Sequence, residues 1–353
     1  MALISVKLFG SAHAEEVGAL VKGLPAGLVP DMELLESMLR RRAPGRFAWT
    51  SARSEEDLPQ ITEGLCGGKT DGAPLRIIIK NNDVQRSAID YRRFPRPSHA
   101  DYPAAVKSGG ALDLSGGGPF SARLTAPLVA AGALMKGWLG QKGIRIYGRV
   151  QAVGGIFDSE LDAAQPDEAA LAAVGEKDFP TLDSFLGEKM IKTVLAAKEK
   201  GDSLGGLVQC VVFGLPAGSG GFFNEGLESL LAKELFAIPG VRGLEFGGGF
   251  ALAGTSGHAA NDELYFDENK TVKTYTNHSG GINGGLANGM PLVFTLAFRP
   301  TPSIALPQRS VDLQEGVNTV ISVSGRHDSC IAPRAVPVAE AAAAIALAGA
   351  MGL

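Results

Sequence analysis

The sequence is poor in several features that mark particular protein classes. Its 353 residues include three cysteines, Cys66, Cys210 and Cys330, too few for a disulfide scaffold. No run reaches the roughly 18 unbroken apolar residues of a membrane-spanning helix, because Pro337 and other residues interrupt the Ala-rich stretch 335–353. The first residues also lack the basic and apolar regions of an export signal. We therefore expect a cytoplasmic protein without a membrane partner.

Charge and motif content exclude further classes. Lys and Arg number 33 against 37 Asp and Glu, and a net charge of −4 disfavours nucleic-acid binding. Neither His-x3-His nor Cys-x2-Cys spacing occurs, so no metal site is predicted. The segment Gly67-Gly68-Lys69-Thr70 resembles the end of a phosphate-binding loop, but Glu63 replaces the first glycine of that motif and three isoleucines after Pro74 predict a strand. These two departures oppose the alternative that the protein is a nucleotide-binding module.

Glycine is in excess, with 47 residues where an average chain of this length carries about 25. Gly23-Leu24-Pro25-Ala26-Gly27 recurs as Gly214-Leu215-Pro216-Ala217-Gly218, and a helical pattern follows each copy. Asp31 and Asn224 are the predicted N-caps of these two helices. Six Gly, Pro and Leu positions between Gly64 and Leu75 recur 217 residues later, between Gly281 and Leu292.

The chain therefore contains two copies of one unit. We predict a single domain over 1–353 with an internal pseudo-twofold repeat, approximately 1–150 and 205–353. Apolar runs predict strands over 75–80, 144–150, 207–213 and 292–298, and helices over 128–139, 182–200 and 336–351. One interpretation is a duplication kept for packing alone. The other is that the paired glycine loops line one cleft, since glycine allows backbone with positive φ or close approach to a ligand.

Basic residues cluster in one segment despite the negative net charge. Five arginines and no acid lie between Arg40 and Ser54. A helix C-terminus explains the first three of them, but Arg46 and Arg53 lie beyond the helix. Because guanidinium groups bind carboxylate and phosphate bidentately, this cluster predicts a small ligand with several anionic groups. Among the five histidines, His13, His99 and His327 lie in loop contexts that favour a functional role.

Several segments together resemble one known family. Arg96-Pro97-Ser98-His99-Ala100-Asp101 is similar to the Arg-Pro-Gly-His-Ala-Asp motif of chorismate synthases, and Gly325-Arg326-His327-Asp328-Ser329-Cys330 is similar to their Gly-Arg-His-Asp-Pro-Cys motif. Gly280-Gly281-Ile282-Asn283-Gly284-Gly285 and Arg299-Pro300-Thr301-Pro302-Ser303 resemble two further loops. The order and spacing of these segments hold over nearly the whole chain.

This resemblance implies an α+β fold, a β-α-β sandwich of two repeated halves with helices between antiparallel sheets. It also implies a homotetramer and a lyase that converts 5-enolpyruvylshikimate 3-phosphate to chorismate and phosphate. The 1,4-anti elimination requires reduced FMN without net redox change. The resemblance leaves open whether NADPH serves as the reductant or a separate flavin reductase is the partner.

The resemblance also implies roles for individual residues. His13 would act at the leaving phosphate, His99 near the flavin ring and Asp328 in a relay near flavin N5. The positions expected to line the flavin site are Ser121, Gly284, Arg299, Thr301, Ser303 and Arg326. The residues expected to bind the anionic groups of the substrate are Arg42, Arg46, Arg53, Arg123 and Arg334.

Some positions depart from the family pattern. Gly116-Gly117-Gly118-Pro119-Phe120-Ser121-Ala122-Arg123-Leu124-Thr125 replaces Gly-Gly-Gly-Arg-Ser-Ser-Ala-Arg-Glu-Thr, a loop that contacts flavin. Ala48 stands where the family has a second arginine near the substrate, and Arg46 is close enough in sequence to substitute for it. The alternative function is therefore a catalytically altered relative that binds an anionic metabolite without FMN.

Overall fold

Two antiparallel sheets enclose a layer of buried helices. A computed structural model describes residues 4–83, 89–323 and 325–352, so residues 1–3, 84–88, 324 and 353 of the predicted single domain lie outside the described part. The strands are β1 Ser5–Gly10, β2 Glu16–Lys22, β3 Pro59–Glu63, β4 Leu65–Cys66, β5 Lys69–Thr70, β6 Leu75–Lys80, β7 Arg145–Val153, β8 Ile156–Phe157, β9 Gly206–Phe213, β10 Val241–Phe246, β11 Leu264–Phe266, β12 Val272–Thr274, β13 Ile282–Asn283, β14 Leu286–Ala287, β15 Leu292–Phe298, β16 Gln308–Asp312 and β17 Val317–Ile321. The α-helices are α1 Met32–Arg42, α2 Asp101–Ser108, α3 Thr125–Gln141, α4 Glu168–Val174, α5 Ser184–Glu199, α6 Leu227–Leu235, α7 Gly257–Ala260 and α8 Ala332–Ala350.

The two large sheets have corresponding strand orders. The first is β1-β2-β6-β3 and the second is β10-β15-β9-β7-β8. The second sheet read from β7 gives β7-β9-β15-β10, which repeats the order of the first. In each case the second strand leads through a Gly-Leu-Pro-Ala-Gly segment toward a helix, α1 or α6. The predicted α+β sandwich with antiparallel sheets is confirmed.

Strand register explains how the first sheet buries one face. Val17, Ala19 and Val21 of β2 lie opposite Ile79, Ile77 and Leu75 of β6. All six side chains are fully buried. Because side chains alternate along a strand, these residues share the face that packs on α3. The isoleucine run after Pro74 therefore forms a central strand, as its composition predicts.

Helices α3 and α8 form the centre of the sandwich. They pack against each other, α3 also contacts β2 and β6, and α8 contacts β7 and β9. Both helices are buried around most of their circumference, which is typical of a helix that is apolar on every side. Gly132 of α3 lies directly against Ala341 of α8, and a Cβ at position 132 would overlap that residue. Among the described residues, no helix combines the length and apolar character needed to cross a bilayer.

The structure confirms one of the two predicted N-caps and contradicts the other. The side chain of Asp31 accepts a hydrogen bond from the Leu34 amide at 2.9 Å, which confirms it as the N-cap of α1. The prediction that Asn224 caps the second helix is wrong. Asn224 lies in the single 3-10 turn Phe223–Glu225, and Gly226 precedes the first residue of α6.

The repeated glycines form turns that pair within their own half. The Gly27 amide donates to the Thr70 carbonyl at 2.7 Å, and the Gly218 amide donates to the Ala287 carbonyl at 2.8 Å. Thr70 and Ala287 belong to the short hairpins β4–β5 and β13–β14. Gly67 and Gly68 form the turn of the first hairpin with φ of +58° and +77°. This turn joins two strands, so the segment is not a phosphate-binding loop.

Candidate active site

A large cavity lies where elements from both halves meet. Its volume is about 760 Å³, in the usual range for small-molecule sites. Pro44, after α1, and Pro239, after α6, both line it. The Pro-Gly turns that end the two repeated helices thus converge there, whereas neither Gly-Leu-Pro-Ala-Gly segment nor either glycine hairpin lines the cavity in the described part of the chain. The expectation that the matched glycine loops line one cleft is wrong, because those loops bond to each other within each half.

The cavity brings most of the predicted site residues together. All of them line it except Arg46 and Gly284. The residues in the lining are His13, Arg42, Arg53, His99, Ser121, Arg123, Arg299, Thr301, Ser303, Arg326, Asp328 and Arg334.

The structure places two of the predicted site residues, Arg46 and Gly284, outside the cavity lining. Arg46 is half-exposed, donates to the Arg40 carbonyl at 2.9 Å and lies 3.9 Å from the carboxylate of Asp178. Its guanidinium thus caps the end of α1 and does not replace the arginine lost at Ala48. Gly284 lies in the turn of the β13–β14 hairpin with φ of +61°, and no described atom lies within 4 Å of the position that a Cβ would occupy. Its position serves the hairpin turn, outside the cavity.

Asp57 joins two of the predicted substrate-binding arginines. Its carboxylate accepts from Arg42 Nη1 at 3.0 Å and from Arg123 Nη1 at close range. All three side chains are almost completely buried. Burial lowers the pKa of Arg42 to about 9, although Asp57 opposes that shift. Burial alone would raise the pKa of Asp57, but Arg42 and Arg123 outweigh it and lower that pKa. Arg42 and Asp57 are therefore both charged at neutral pH.

Two further arginines are held by carboxylates. Arg53 donates through Nε and Nη2 to Oε1 of Glu55, at 2.9 and 2.6 Å. Arg334 Nη1 contacts Asp328 Oδ2 closely, and the other oxygen of Asp328 accepts from the Ser51 amide at 2.8 Å. Asp328 is therefore an oriented carboxylate whose charge is balanced by Arg334.

His99 forms a dyad with a buried carboxylate. Its Nδ1 lies 2.6 Å from Oδ1 of Asp101, and Arg96 donates to the same carboxylate from Nε at 2.7 Å and from Nη2 at 2.8 Å. Burial would raise the pKa of Asp101, but the hydrogen bonds from Arg96 and His99 dominate and lower it to about 2. Asp101 is therefore ionised and can only accept hydrogen bonds.

A glycine loop brings His13 and His99 to neighbouring positions. Gly116, Gly117 and Gly118 all have positive φ, which favours glycine. A Cβ on Gly116 would lie 2.6 Å from His13 Nε2, and one on Gly117 would lie 3.5 Å from His99 Nε2. The glycines that line this cavity are thus Gly116 of this loop together with Gly240 and Gly325, and none belongs to the repeated hairpins in the described part of the chain.

Several residues that line the cavity or contact its arginines are absent from the site roles that the resemblance implies, although the loop context of His327 already favoured a functional role. Arg242 lines the cavity close enough to Arg299 to lower the pKa of Arg299, with burial as the larger cause. Asp83 pairs with Arg326 at 2.6 and 2.8 Å, and that hydrogen bond lowers the pKa of Asp83 to about 2. Burial, followed by the charge of Arg96, lowers the pKa of His327 to about 4, so this histidine is neutral at pH 7. For Glu55 and Asp57, the sequence signal was an acidic run directly after the basic segment.

The cavity lining has a large excess of positive charge. Among the described residues, two carboxylates, Asp83 and Asp328, line it together with eight arginines. Arg242 and Arg299 have no carboxylate partner within 4 Å in the described part of the chain, and Arg299 Nη1 donates to the Ser98 carbonyl at 2.6 Å. The eight arginines are Arg42, Arg53, Arg96, Arg123, Arg242, Arg299, Arg326 and Arg334. Such a lining suits a ligand, or two adjacent ligands, with several anionic groups.

Comparisons with known proteins agree on one family. A sequence model described as chorismate synthase matches residues 4–351. The chain is 42% identical over 349 residues to a chorismate synthase of Thermococcus kodakarensis, covering 98% of this chain and 95% of the relative. It is 40% identical over 351 residues to one of Methanothermobacter thermautotrophicus, covering 98% and 91%. A crystal structure of a chorismate synthase superposes with a TM-score of 0.78 at 26% identity, covering 99% of this chain and 91% of the other.

Proposed function

The chain belongs to the chorismate synthase family, and we propose that the arginine-lined cavity is its active site. The protein is a carbon–oxygen lyase of the shikimate pathway that converts 5-enolpyruvylshikimate 3-phosphate to chorismate and inorganic phosphate. In this 1,4-anti elimination a C–H bond and the C–O bond to phosphate break. A C=C bond forms, and a proton and phosphate leave.

The arginine excess in the cavity is the observation that carries this assignment. The substrate has two carboxylates and one phosphate, and guanidinium groups bind both in a bidentate manner. We assign its binding to Arg42, Arg53, Arg123 and Arg334. Each is oriented by a carboxylate, namely Asp57, Glu55 or Asp328. Ligand binding therefore meets arginine side chains that are already fixed in position, which lowers its entropic cost.

His13 is assigned to the leaving phosphate. Arg53 Nη2 donates to the carbonyl of Ala12, the residue before His13, at 3.4 Å. His13 therefore lies beside the arginine cluster that would hold the substrate. A histidine there can donate a hydrogen bond or a proton as the C–O bond breaks. His99, beside Gly117, and Asp328 are assigned to proton handling near the cofactor.

The cavity has features that fit reduced FMN. The Thr301 hydroxyl oxygen is buried and has no hydrogen-bond partner among the described residues. Arg299 and Arg242 are cations without a carboxylate partner there. A phosphorylated flavin would satisfy such groups, and Ser121, Arg299, Thr301, Ser303 and Arg326 would hold it. When bound, reduced FMN supplies electron density that helps expel phosphate. Gly284 lies outside this cavity, so we do not retain it as a flavin ligand within one chain.

The remaining proposals concern assembly and cellular context. We propose a homotetramer in the cytoplasm, with flavin reduced by NADPH or by a separate reductase. Large exposed apolar side chains between residues 222 and 266 support self-association, since such patches mark interfaces. They include Phe222, Phe223, Phe250, Leu264 and Phe266, each at least 69% exposed.

An anaerobic assay tests the function directly. Purified protein is mixed with chemically reduced FMN and the substrate, and the release of chorismate and phosphate is followed. We expect turnover that depends on both additions, together with saturable binding of FMN by titration. Normal folding without turnover would contradict the proposal, and loss of FMN binding as well would favour the alternative of an altered metabolite-binding relative.

Variants of the two histidines test their roles. His13→Ala and His99→Ala should each lower kcat by about 10²–10⁴-fold, the usual contribution of general acid–base groups. The exposed His258, which lies in α7 and does not line the cavity, provides the control variant His258→Ala with unchanged kcat. Rates near wild type in either of the first two variants would refute that assignment.

A further inference from the structure

We propose that Asp101 and Arg96 form a positioning pair that fixes the tautomer of His99 and balances its affinity for a proton. Asp101 acts through His99 and does not line the cavity. Arg96 contacts both members of the dyad. The proposal relies on the proposed function only for the use that catalysis makes of His99, because the tautomer itself can be measured without substrate.

The hydrogen bonds of Asp101 determine which nitrogen of His99 carries the proton. The carboxylate is fully buried at the first residue of α2, and Oδ2 accepts from the Arg96 amide at 3.0 Å as well as from its Nε. Oδ1 lies 2.6 Å from His99 Nδ1. Because an ionised carboxylate only accepts, Nδ1 must be the protonated nitrogen. Nε2, which lies next to Gly117, is then the nitrogen that exchanges a proton with the cavity.

Arg96 is held firmly in the same cluster. Its Nη1 donates to the Ser303 hydroxyl at 3.1 Å, and its guanidinium lies 4.0 Å from the centre of the Tyr91 ring. Its Nη2 lies 3.1 Å from His99 Nδ1. Since both of these nitrogens carry hydrogens, this contact is repulsive and is not a hydrogen bond.

The two members of the pair therefore act on His99 in opposite directions. Asp101 favours the protonated imidazolium and Arg96 disfavours it. In the described part of the chain, the other titratable groups near this cluster include Tyr91, His327, which is neutral at pH 7 because its pKa is about 4, and Arg299, which donates to the Ser98 carbonyl. With Asp101 and Arg96 both present, one negative and one positive group therefore act on the same ring nitrogen of His99.

Nitrogen-15 NMR of histidine-labelled protein measures both properties. The chain has five histidines, so the His99 signal is identified by its loss in His99→Asn. Solid-state spectra of sedimented protein avoid the line broadening that a large protein shows in solution. In the wild-type protein we expect a protonated Nδ1 and an unprotonated Nε2 at high pH. The opposite tautomer would overturn the proposal without any variant of the pair.

Two substitutions then give results of opposite sign. Asp101→Asn leaves the charge of Arg96 unbalanced and should lower the titration midpoint of His99 by about 1 pH unit or more. Arg96→Gln leaves the charge of Asp101 unbalanced and should raise the midpoint by a similar amount, in line with the usual effect of a charge within about 4–6 Å. The corresponding limb of the pH profile of kcat/KM should move in the same direction as each midpoint.

Matched controls separate positioning from folding. Arg93 pairs with Asp312 in a similar bidentate geometry at 2.8 and 2.5 Å, and neither residue lines the cavity. Asp312→Asn should leave the His99 midpoint unchanged. Arg96→Lys keeps the positive charge and should shift the midpoint less than Arg96→Gln.

Midpoints that move in the same direction in Asp101→Asn and Arg96→Gln, or that do not move, refute the proposal. A wild-type protein that shows the expected tautomer but no lyase turnover would refute the proposed function alone.

Discussion

Asp57 shows how one buried residue behind the cavity fixes two arginines that line it. It has a positive φ of +52°, a conformation that aspartate tolerates better than most residues. This backbone directs its carboxylate between Arg42 and Arg123. Removing one member of a buried ion pair leaves an uncompensated charge, which costs about 3–5 kcal/mol.

Asp57→Asn should therefore destabilise the protein and weaken substrate binding. We expect the free energy of unfolding to fall by about 3 kcal/mol or more, and KM to rise, because Arg42 and Arg123 lose the group that orients them. Chemical denaturation and steady-state kinetics measure the two effects. Asp178→Asn removes the exposed partner of Arg46 and should change stability by less than about 1 kcal/mol. Equal stability of both variants would contradict a bridging role for Asp57.

At the scale of single residues, the sequence predicts which side chains carry charge but not which residues they pair with. The arginine cluster and its anionic ligand class follow from residue type alone. The pairings do not, because Asp57 is 15 positions from Arg42 and 66 from Arg123. Arg46 illustrates the same difficulty. Its place in the basic segment suggested a ligand contact, but the chain turns after α1 and directs its guanidinium to the Arg40 carbonyl.

Secondary structure elements were predictable where a periodic pattern was long. Helix α3, the strands β6 and β15, and the N-cap Asp31 all agree with the patterns. Asn224 failed as an N-cap because Phe223 to Glu225 form a separate turn, and Gly226 then redirects the chain before α6. A local cap signal cannot distinguish a helix start from a single turn that precedes one.

The α3–α8 contact yields a prediction about glycine. Gly132→Ala would place a methyl group against the backbone and Cβ of Ala341, so the two central helices must move apart. Overpacking of this kind costs about 1–3 kcal/mol. Gly140→Ala is the matched control, because it lies near the exposed end of the same helix with no described atom within 4 Å of the new methyl group.

The two glycine variants should differ in the sign of their effect. Thermal unfolding should show a lower Tm for Gly132→Ala and an unchanged or higher Tm for Gly140→Ala, since alanine favours helix by about 0.5–1 kcal/mol over glycine. A Gly132→Ala protein as stable as wild type would show that the helices can separate without loss.

At the scale of the whole molecule, a buried charge cluster joins the two repeated halves. Glu340 of α8 accepts from Arg41 of α1 at 3.0 and 2.7 Å, and from Lys136 of α3 at 2.6 Å. It also accepts from the Gly148 amide of β7 at 3.1 Å. The repeat predicted that two similar units exist, and the matched strand orders agree with it. It could not predict this junction, because residues that join the halves are not the ones that recur.

Glu340 makes the stability of the folded protein depend on pH. Burial would raise the pKa of Glu340, but Arg41 and Lys136 outweigh it and lower the pKa from 4.5 to about 2. A carboxyl group with a lowered pKa in the folded state stabilises that state above its unfolded pKa. This contribution is lost as the pH falls from about 4.5 to about 2.

Acid titration of Glu340→Gln tests this link between the halves. We expect the variant to be less stable than wild type at pH 7, because Arg41 and Lys136 lose their shared counter-ion. Its stability should also fall less than that of wild type between pH 4.5 and pH 3, because the linked proton uptake is gone. Denaturant midpoints at these three pH values measure both effects. Glu36→Gln, an exposed change on α1, should follow the wild-type curve. A Glu340→Gln curve parallel to wild type would show that acid sensitivity arises elsewhere in the molecule.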